Sequence, residues 1–463
     1  MQRTPVIVFL AVLIFVLAGS STAWAQGYGL YEQSPCAMGR AGAGVAAPCP
    51  DGSAVFFNPA GLSFEKTQIG LGGTLVGPRG YFNDITTSQV STINNHWYPV
   101  PNIYISKPIN KRFAAAIGTF APYGWTIDWP TDSQGRYLGY KSLVQALYLQ
   151  PTLAMKWSNS ISVGAGVDIT YLKVELRQRV DLSTQQLPSV PGIPPGATFA
   201  FLGVKAGTDF ADLQLKGDAF HVGYHVGVLI KMGSRFSVGV RYLGNQNVAI
   251  NDGTISTTQI STSYTLPITI PGVAPAGTPL DTLLKPQFAA GGTFSNQKAT
   301  TQLPLPAQLV AGAAFQLTPK IKVVGDYQRT YWNKFDVFPI NGDYLKSTIT
   351  ESYQNTWGGR LGLDYTLNPK TVIRAGFDYH NAAAPDQTVT PNLPEGRRQE
   401  YAAGFGRQLT TRFRIDAAYM RLQQPDRAGR TTNGGKTTPT AADNNGRYFF
   451  NANLFGISLT MTF

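Results

Sequence analysis

Few side chains in this sequence are of the types that bind metals. His221 and His225 fall on one face of an apparent strand, while His96 and His380 lie far from them along the chain. Protein zinc sites use three or four ligands, so two histidines on one strand do not make a convincing metal site. We interpret all four histidines as polar residues of a sheet face, and the sequence indicates neither a metal nor any other cofactor.

Nucleophilic chemistry has equally little support. Cys36 and Cys49 have no neighbours that would activate a thiolate. In an oxidising compartment they could form a disulfide, and the sequence alone leaves both states open. The Gly-Gly-Lys-Thr stretch at 434–437 resembles the end of a phosphate-binding loop, but Arg430 replaces the first glycine of that motif. A hydrolase with Ser, His and Asp on strands is not excluded, yet the residues favour a protein that is not an enzyme.

The composition excludes several classes of protein. The 463 residues carry a formal charge of +12, yet only 14% are charged and 43% are hydrophobic. Soluble proteins have about 25% charged residues, and disordered chains are much less apolar. The basic residues are dispersed, so nucleic-acid binding is not indicated. After residue 25 no stretch stays apolar for the roughly 20 residues of a membrane helix.

The first 25 residues have the features of a secretory signal peptide. Arg3 precedes an apolar run over residues 6–18, and an Ala-Trp-Ala stretch at 23–25 fits a cleavage site. A lipoprotein signal would have a cysteine after the apolar run, where this chain has Ser20. We therefore expect an exported protein without a lipid anchor.

Past Thr67 the dominant pattern is two-residue alternation, which places successive side chains on opposite faces of a sheet. At the C-terminus one face is apolar, while the other consists of Gly, Ser and Thr. The apolar face comprises Phe455, Ile457, Leu459, Met461 and Phe463.

Fourteen such segments begin near residues 66, 99, 112, 144, 160, 217, 235, 300, 319, 351, 370, 398, 411 and 447. Short turns alternate with long connections, and both this pattern and an even strand number are typical of outer-membrane barrels. A soluble β-sandwich or propeller also alternates, but aromatic residues near the strand ends favour lipid-facing strands. The sequence predicts an all-β fold, a 14-stranded antiparallel transmembrane β-barrel over residues 65–463.

The segment at 26–64 breaks the alternation. It is rich in Gly, Ala and Pro but too apolar for a free tail. A fourteen-stranded barrel has a lumen wide enough for a folded segment, so we predict an N-terminal plug. A periplasmic interaction arm is the alternative. Within the segment, Asn58 precedes Pro59 and Ala60, and we expect this turn to act as the gate.

Charged residues of both signs fall on the inward faces of the predicted strands. Buried charges require partners, so we expect paired ladders along the lumen wall. The set is Asp168, Arg241, Lys322, Asp326, Arg360, Asp364, Arg374, Asp378, Arg414 and Asp416.

Two long extracellular loops, at about 178–216 and 252–299, are less polar than exposed loops usually are. Exposed apolar surface of this kind marks binding sites, although the two loops could instead pack on each other as a cap. The residues that we predict to capture a ligand are Phe199, Phe201, Phe210, Leu266 and Ile268.

Several short motifs resemble those of the FadL long-chain fatty acid transporters and their TodX-like relatives for aromatic hydrocarbons. Met-Gly-Arg-Ala at 38–41 and Asn-Pro-Ala-Gly-Leu at 58–62 resemble the hatch of that family. Further matches are Ala-Pro-Tyr-Gly at 121–124, Leu-Pro-Leu-Pro-Ala at 303–307, Trp332 with Phe335-Asp336, Leu393-Pro394 with Arg397 or Arg398, and the terminal Phe463.

The resemblance implies a hatch-plugged barrel in the bacterial outer membrane that takes up hydrophobic compounds. Cargo would be captured at the external loops, pass the hatch and leave laterally at the third strand. Fatty acids, hydrocarbons or detergents would be ligands, and membrane lipid and lipopolysaccharide would surround a monomer. A general diffusion porin for polar solutes and a surface receptor or adhesin without transport remain the alternatives. The cysteine pair is not part of the family pattern.

Overall fold

The computed structural model describes residues 27–85, 87–189, 192–429 and 444–463. The predicted signal peptide at 1–25 and the Gly-Gly-Lys-Thr stretch at 434–437 lie outside these residues. No helix within the described ranges is long and apolar enough to span a bilayer.

Among the described residues, nineteen β-strands form one sheet. They are β1 (Gln68–Asp84), β2 (Val90–Thr92), β3 (Tyr98–Pro108), β4 (Phe113–Asp128), β5 (Lys141–Lys156), β6 (Ile161–Asp181), β7 (Asp209–Met232), β8 (Phe236–Leu243), β9 (Gln246–Gln259), β10 (Gln297–Leu305), β11 (Gln308–Gln316), β12 (Ile321–Thr330), β13 (Val337–Gly342), β14 (Lys346–Thr350), β15 (Thr356–Asn368), β16 (Thr371–His380), β17 (Arg398–Gln408), β18 (Phe413–Ala428) and β19 (Gly446–Thr462).

The sheet closes into an antiparallel barrel because β1 pairs with β19 along its whole length. Five pairs of consecutive strands run end to end along the same neighbours: β2 with β3, β8 with β9, β10 with β11, β12 with β13, and β14 with β15. Each of these pairs is one interrupted strand of the wall. The barrel therefore has fourteen strands, as the alternation predicted.

In the described ranges, three α-helices accompany the barrel: α1 (Pro35–Met38), α2 (Ala54–Phe57) and α3 (Leu280–Phe288). Short 3-10 helices span Pro59–Phe64, Gln134–Tyr137, Leu182–Thr184, Phe199–Leu202, Trp332–Lys334 and Asp386–Thr388.

The predicted start of the sixth strand was wrong. It was placed near 217, whereas β7 begins at Asp209 and pairs with β6 as far as Asp181. The strand continues past the membrane, where it includes polar residues such as Asp212. For this reason the sequence pattern predicted a loop over its first residues. Phe210 and Leu213 consequently belong to a strand and not to the long loop that was predicted at about 178–216. The tenth strand of the wall comprises β14 and β15, and its predicted start near 351 falls at the break between them.

Residues 27–64, here called the hatch, lie inside the barrel and contact β5–β7 on one side and β17–β19 on the other. Ser34 caps α1 by accepting the N–H of Ala37, and Asn58 caps the following 3-10 helix by accepting the N–H of Ala60. These caps satisfy amide groups that would otherwise be unpaired in a filled lumen. An apolar segment of small residues can thus be packed inside the barrel without leaving these backbone N–H groups unpaired.

Cys36 and Cys49 form a disulfide within the hatch. Of the two states that the sequence left open, the structure has the bonded one. The bond closes a short loop between α1 and the segment that precedes α2, which restricts how far this part of the hatch can unfold.

The last strand tests the alternation. Phe455, Ile457 and Leu459 face outward, whereas Ser458 and Thr460 are buried toward the lumen. Leu459 lies midway between the outward aromatic residues Phe455 and Phe463. This pattern confirms the predicted lipid-facing register.

We predict that Leu459→Arg destabilises the barrel by about 2 to 4 kcal/mol, because position 459 lies near the middle of the bilayer. Phe413→Arg, at the outward first residue of the neighbouring β18, should cost at most about 1 kcal/mol because it lies at the interface. Reversible urea unfolding in lipid measures both values. Equal losses at the two sites would show that the depth assignment is wrong.

Candidate functional site

The hatch is held to the wall by charged side chains. Arg40 donates from Nε to Asp364 Oδ1 of β15 at 2.7 Å, and its second nitrogen pairs with the other carboxylate oxygen. Asp326 of β12 accepts the N–H groups of Gly44 and Val45 at 2.7 and 3.1 Å. Charge-assisted hydrogen bonds of this kind are about twice as strong as neutral ones. They fix the middle of the hatch to one side of the barrel.

The other inward charges form the mixed-sign network that the sequence predicted. Arg374 lies 2.8 Å from Asp416, and Arg414 lies 2.7 Å from the same carboxylate. Arg360 lies 3.6 Å from Asp378. Unlike the prediction, part of this network is directed at the hatch and does not pair within the wall.

Two inward arginines stack on hatch aromatic rings. The Arg241 guanidinium carbon lies 4.3 Å from the ring centroid of Phe56, and that of Arg360 lies 4.0 Å from the centroid of Tyr31. Such cation–π contacts are strongest where both groups are buried, as they are here. Apolar hatch residues therefore also bind charged wall residues.

The buried histidine His225 is part of the wall network and not of a metal site. Its Nδ1 lies 2.5 Å from Asp168, and its Nε2 lies 3.0 Å from the Thr152 hydroxyl. Among the described residues, the one cluster with metal-ligand geometry contains Cys36, Cys49 and Asp51. Its two sulfurs are already joined to each other, so it lacks free thiolates.

The predicted gate residues Asn58, Pro59 and Ala60 lie against β6 and β7. Asn58 Nδ2 donates to the carbonyls of Val45 and Val228 at 2.8 and 3.0 Å, which joins hatch to wall. The carbonyl of Ala60 accepts a hydrogen bond from Ser162 at 2.9 Å.

Glycine is required where the wall meets Asn58. A Cβ atom at Gly227 or Gly239 would collide with the Asn58 amide. Asn58 is fully buried and uses both ends of its side chain. The Asn-Pro-Ala turn is therefore anchored by a close fit between backbone and side chain.

The wall has a gap between β3 and β4. These strands pair only from Ile103↔Thr119 to Pro108↔Ala114, although both continue beyond that point. The rest of β3 pairs with β1, and the rest of β4 pairs with β5. A bulge lies at the point of separation, where Ala121 and Pro122 stand opposite the single residue Leu147. The bulge bends β4 away from β3.

The first residues of the hatch cover the exposed edge of β4. Leu30 N–H donates to the Pro122 carbonyl at 2.8 Å, and Gly124 N–H donates to the Tyr28 carbonyl at 2.9 Å. The Gln33 side chain exchanges hydrogen bonds with both backbone groups of Ala121. Residues 28–30 thus replace the missing strand neighbour, and the hatch is joined directly to the gap.

A cavity of about 420 Å³ lies at this gap. Its walls are mostly apolar and include residues of the bulged strand and of the neighbouring β3. Val100 and Pro101 of β3, Tyr123 and Trp125 of β4, and Val144 and Leu147 of β5 bound it on these sides.

Two charged residues, Glu395 and Arg398, close the hatch side of this cavity. Gly27 N–H donates to Glu395 at 2.7 Å, and Arg398 donates to the Gly27 carbonyl at 3.0 Å. Burial raises the pKa of Glu395, and hydrogen bonds from the N–H groups of Ala384 and Gly27 oppose that shift. The sequence motif pointed to Arg397 or Arg398, and the structure places Arg398 at the cavity.

An aromatic cluster surrounds the start of the hatch. The Tyr28 ring lies 4.5 Å from Trp332 and 4.6 Å from Trp125, measured between centroids. The Tyr28 hydroxyl donates to the Pro304 carbonyl, and the Tyr123 hydroxyl donates to the Pro306 carbonyl at 2.5 Å. The Leu-Pro-Leu-Pro-Ala motif at 303–307 thus supplies acceptors at the break between β10 and β11. The sequence patterns did not indicate the role of Tyr28.

The five residues predicted to capture a ligand fall into two groups. Phe201 and Ile268 are 53% and 45% exposed, whereas Phe199, Phe210 and Leu266 are buried. Only the first two are therefore accessible from outside. The structure does not bring all five together on one surface.

The buried members hold the two long loops together. The Phe210 ring lies 6.0 Å from Phe288 and 5.1 Å from Phe294. Lys205 N–H of one loop donates to the Tyr264 hydroxyl of the other at 3.2 Å. Much of the apolar content of these loops thus packs as a cap.

The sequence matches proteins of known class. A family model described as outer membrane protein transport protein (OMPP1/FadL/TodX) matches residues 16–463. Outer membrane protein P1 of Haemophilus influenzae is 24% identical over 98% of each chain. The long-chain fatty acid transport protein of Escherichia coli O6:H1 is 24% identical over 89% of this chain and 91% of that protein.

Solved structures share the fold. A FadL homologue of Pseudomonas aeruginosa superposes with a TM-score of 0.76 at 21% identity, covering 95% of this chain and 100% of that one. The toluene transporter TodX of Pseudomonas putida superposes with a TM-score of 0.63 at 15% identity, covering 95% and 100%. The predicted barrel and family resemblance are confirmed. The chain is a bacterial outer-membrane protein and belongs to the family of outer membrane transport proteins that includes OMPP1, FadL and TodX.

Proposed function

We propose that the protein carries long-chain fatty acids or hydrocarbons from the external loops, past the hatch, to the gap between β3 and β4. The observation that carries this proposal is that residues 28–30 cover the edge of β4 at an apolar cavity. The names of the relatives supply the cargo classes. One is a long-chain fatty acid transport protein and another is a toluene transporter.

The physical chemistry of such cargo favours this route. An apolar molecule gains little in a water-filled channel, whereas burying its surface releases about 25 cal/mol per Å². The gap cavity, at about 420 Å³, falls in the size range of small-molecule sites. A path along apolar walls that ends in the bilayer would keep the cargo out of water throughout.

We further propose that the predicted plug, residues 26–64, closes the lumen, and that Asn58, Pro59 and Ala60 form its gate. The bonds of Asn58 to Val45 and Val228 support this assignment, because they join the hatch to β7. A filled lumen also argues against a general diffusion porin. A surface receptor without transport would have no use for a wall gap that hatch residues cover.

Removing the bulge tests the route. Deletion of Pro122 should let β4 pair one to one with β5 and straighten toward β3, which would close the gap. We expect uptake of radiolabelled oleate or toluene, by cells lacking their own transporter, to fall at least about tenfold. The matched control is Pro122→Ala, which keeps the bulge and should transport normally.

Normal uptake by the deletion variant, once heat-modifiable migration proves a folded barrel, would reject the lateral route. Liposome swelling in sugar solutions is the second measurement. Rapid swelling with the unmodified protein would favour the porin alternative.

Capture is tested on the two exposed loop residues. Phe201→Ser combined with Ile268→Ser should raise the oleate concentration for half-maximal uptake about tenfold, because it removes apolar contact surface. Uptake at saturating oleate should change little. Ile85→Ser combined with Tyr344→Ser is the control, because these side chains are also exposed but lie in other loops. Equal effects of the two pairs would contradict a specific capture site.

A further inference from the structure

A second cavity, of about 770 Å³, lies below the hatch at the barrel end that carries the short turns. In outer-membrane barrels the short turns are periplasmic, and we call this cavity the periplasmic vestibule. Hatch residues form its roof and strand ends form its sides. Its apolar walls include Ala46, Pro48, Phe64, Leu229 and Ala314.

The vestibule is lined by cations. Lys66, Lys231, Arg235, Lys322 and Arg414 border it, and Glu65 is the sole acidic residue among the lining residues. Of these cations, Arg414 has a close partner in Asp416. Within the part of the chain that the structure describes, no carboxylate lies within ion-pair distance of the other four. Basic side chains therefore outnumber acidic ones around the cavity.

Lysines from three separate strands converge at the roof. Lys231 Nζ of β7 lies 3.4 Å from the Phe64 ring centroid, and Lys156 Nζ of β5 lies 5.2 Å from it. Lys322 of β12 is near enough to Lys231 for their charges to repel. The carboxylate opposite Lys322, Asp364, is already bound by Arg40. Holding like charges together is unfavourable unless an anion balances them.

Glu65 does not balance them at neutral pH. Burial, and then the nearby charge of Asp51, raises the pKa of Glu65 to about 8, although hydrogen bonds from Ser106 and Gln68 oppose the shift. A carboxyl group with that pKa is mostly protonated and uncharged at pH 7. The vestibule therefore stays positive.

We infer that the periplasmic vestibule binds the carboxylate of a fatty acid, with Lys231 and Lys322 as its partners and the alkyl chain against the apolar walls. The inference rests on the proposed function, which supplies the ligand classes, and it selects fatty acids for this site because a neutral hydrocarbon has no group for these cations. An anion without a chain, such as inorganic phosphate, shares only the charge and gains nothing from the apolar walls at Phe64 and Ala314.

Photolabelling tests the site. The probe is lauric acid with a diazirine at the end of its chain, applied to the purified protein in lipid and mapped by mass spectrometry. We expect labels on the vestibule walls near residues 46–50, 229–237 and 314–316. Lys231→Gln combined with Lys322→Gln should lower this labelling about tenfold, in line with the loss of a charge-assisted hydrogen bond. Labelling at the gap cavity should not change.

The matched control is Lys107→Gln combined with Lys370→Gln. These two lysines are exposed near other short turns and do not line the vestibule, so the change in net charge is the same. The control should be labelled like the parent. Dodecanol with the same diazirine should label the vestibule weakly in every variant, and inorganic phosphate should compete poorly with the lauric acid probe.

An unlabelled vestibule in the parent, equal labelling of parent and vestibule variant, or equal labelling by the alcohol would each overturn the inference. Strong competition by phosphate would also overturn it, because the site would then recognise charge alone. These results are separate from transport. A protein that transports nothing but is labelled in the vestibule would remove the proposed function, whereas normal uptake with an unlabelled vestibule would remove only this site.

Discussion

A chain that fills the lumen of a barrel must have its polar backbone groups satisfied, and the rest of this structure depends on how that is done. The wall supplies part of the solution, because Asp326 accepts two hatch amides and Asp364 binds Arg40. The hatch supplies the other part, because residues 28–30 pair with the edge of β4 that β3 leaves free. Each element satisfies groups that would be unpaired without the other.

The hatch has two parts, which are held to the barrel wall by different kinds of contact. Arg40, Gly44, Val45 and Asn58 are fixed by buried polar contacts, several of them charge-assisted, and the disulfide limits unfolding between them. Residues 28–30 are held at β4 by neutral backbone bonds, each worth about 1 kcal/mol, and by the packing of Tyr28 against Trp125 and Trp332. We infer that the first part, which includes the proposed gate at Asn58, closes the lumen and that the second part covers the gap. Cargo could then reach the bilayer without expulsion of the whole hatch.

The strands were predictable because lipid on one side and a polar lumen on the other impose alternation on each residue of the wall. The prediction failed where that constraint ends, at 209–216, since a strand outside the bilayer needs no apolar face. The contacts of Arg40 and Asp326 could not be predicted, because they join residues far apart in sequence. Phe210 and Leu266 looked like exposed ligand contacts because composition cannot separate a loop that binds from one that packs.

The most direct test of this account is the planar-bilayer conductance of a variant that lacks residues 28–62 behind an intact signal peptide. Heat-modifiable migration would first establish that the variant is a folded barrel. If the hatch is the seal, each inserted variant should carry a steady ionic current that the parent does not carry. A variant that inserts as a folded barrel and conducts no more than the parent would contradict the account.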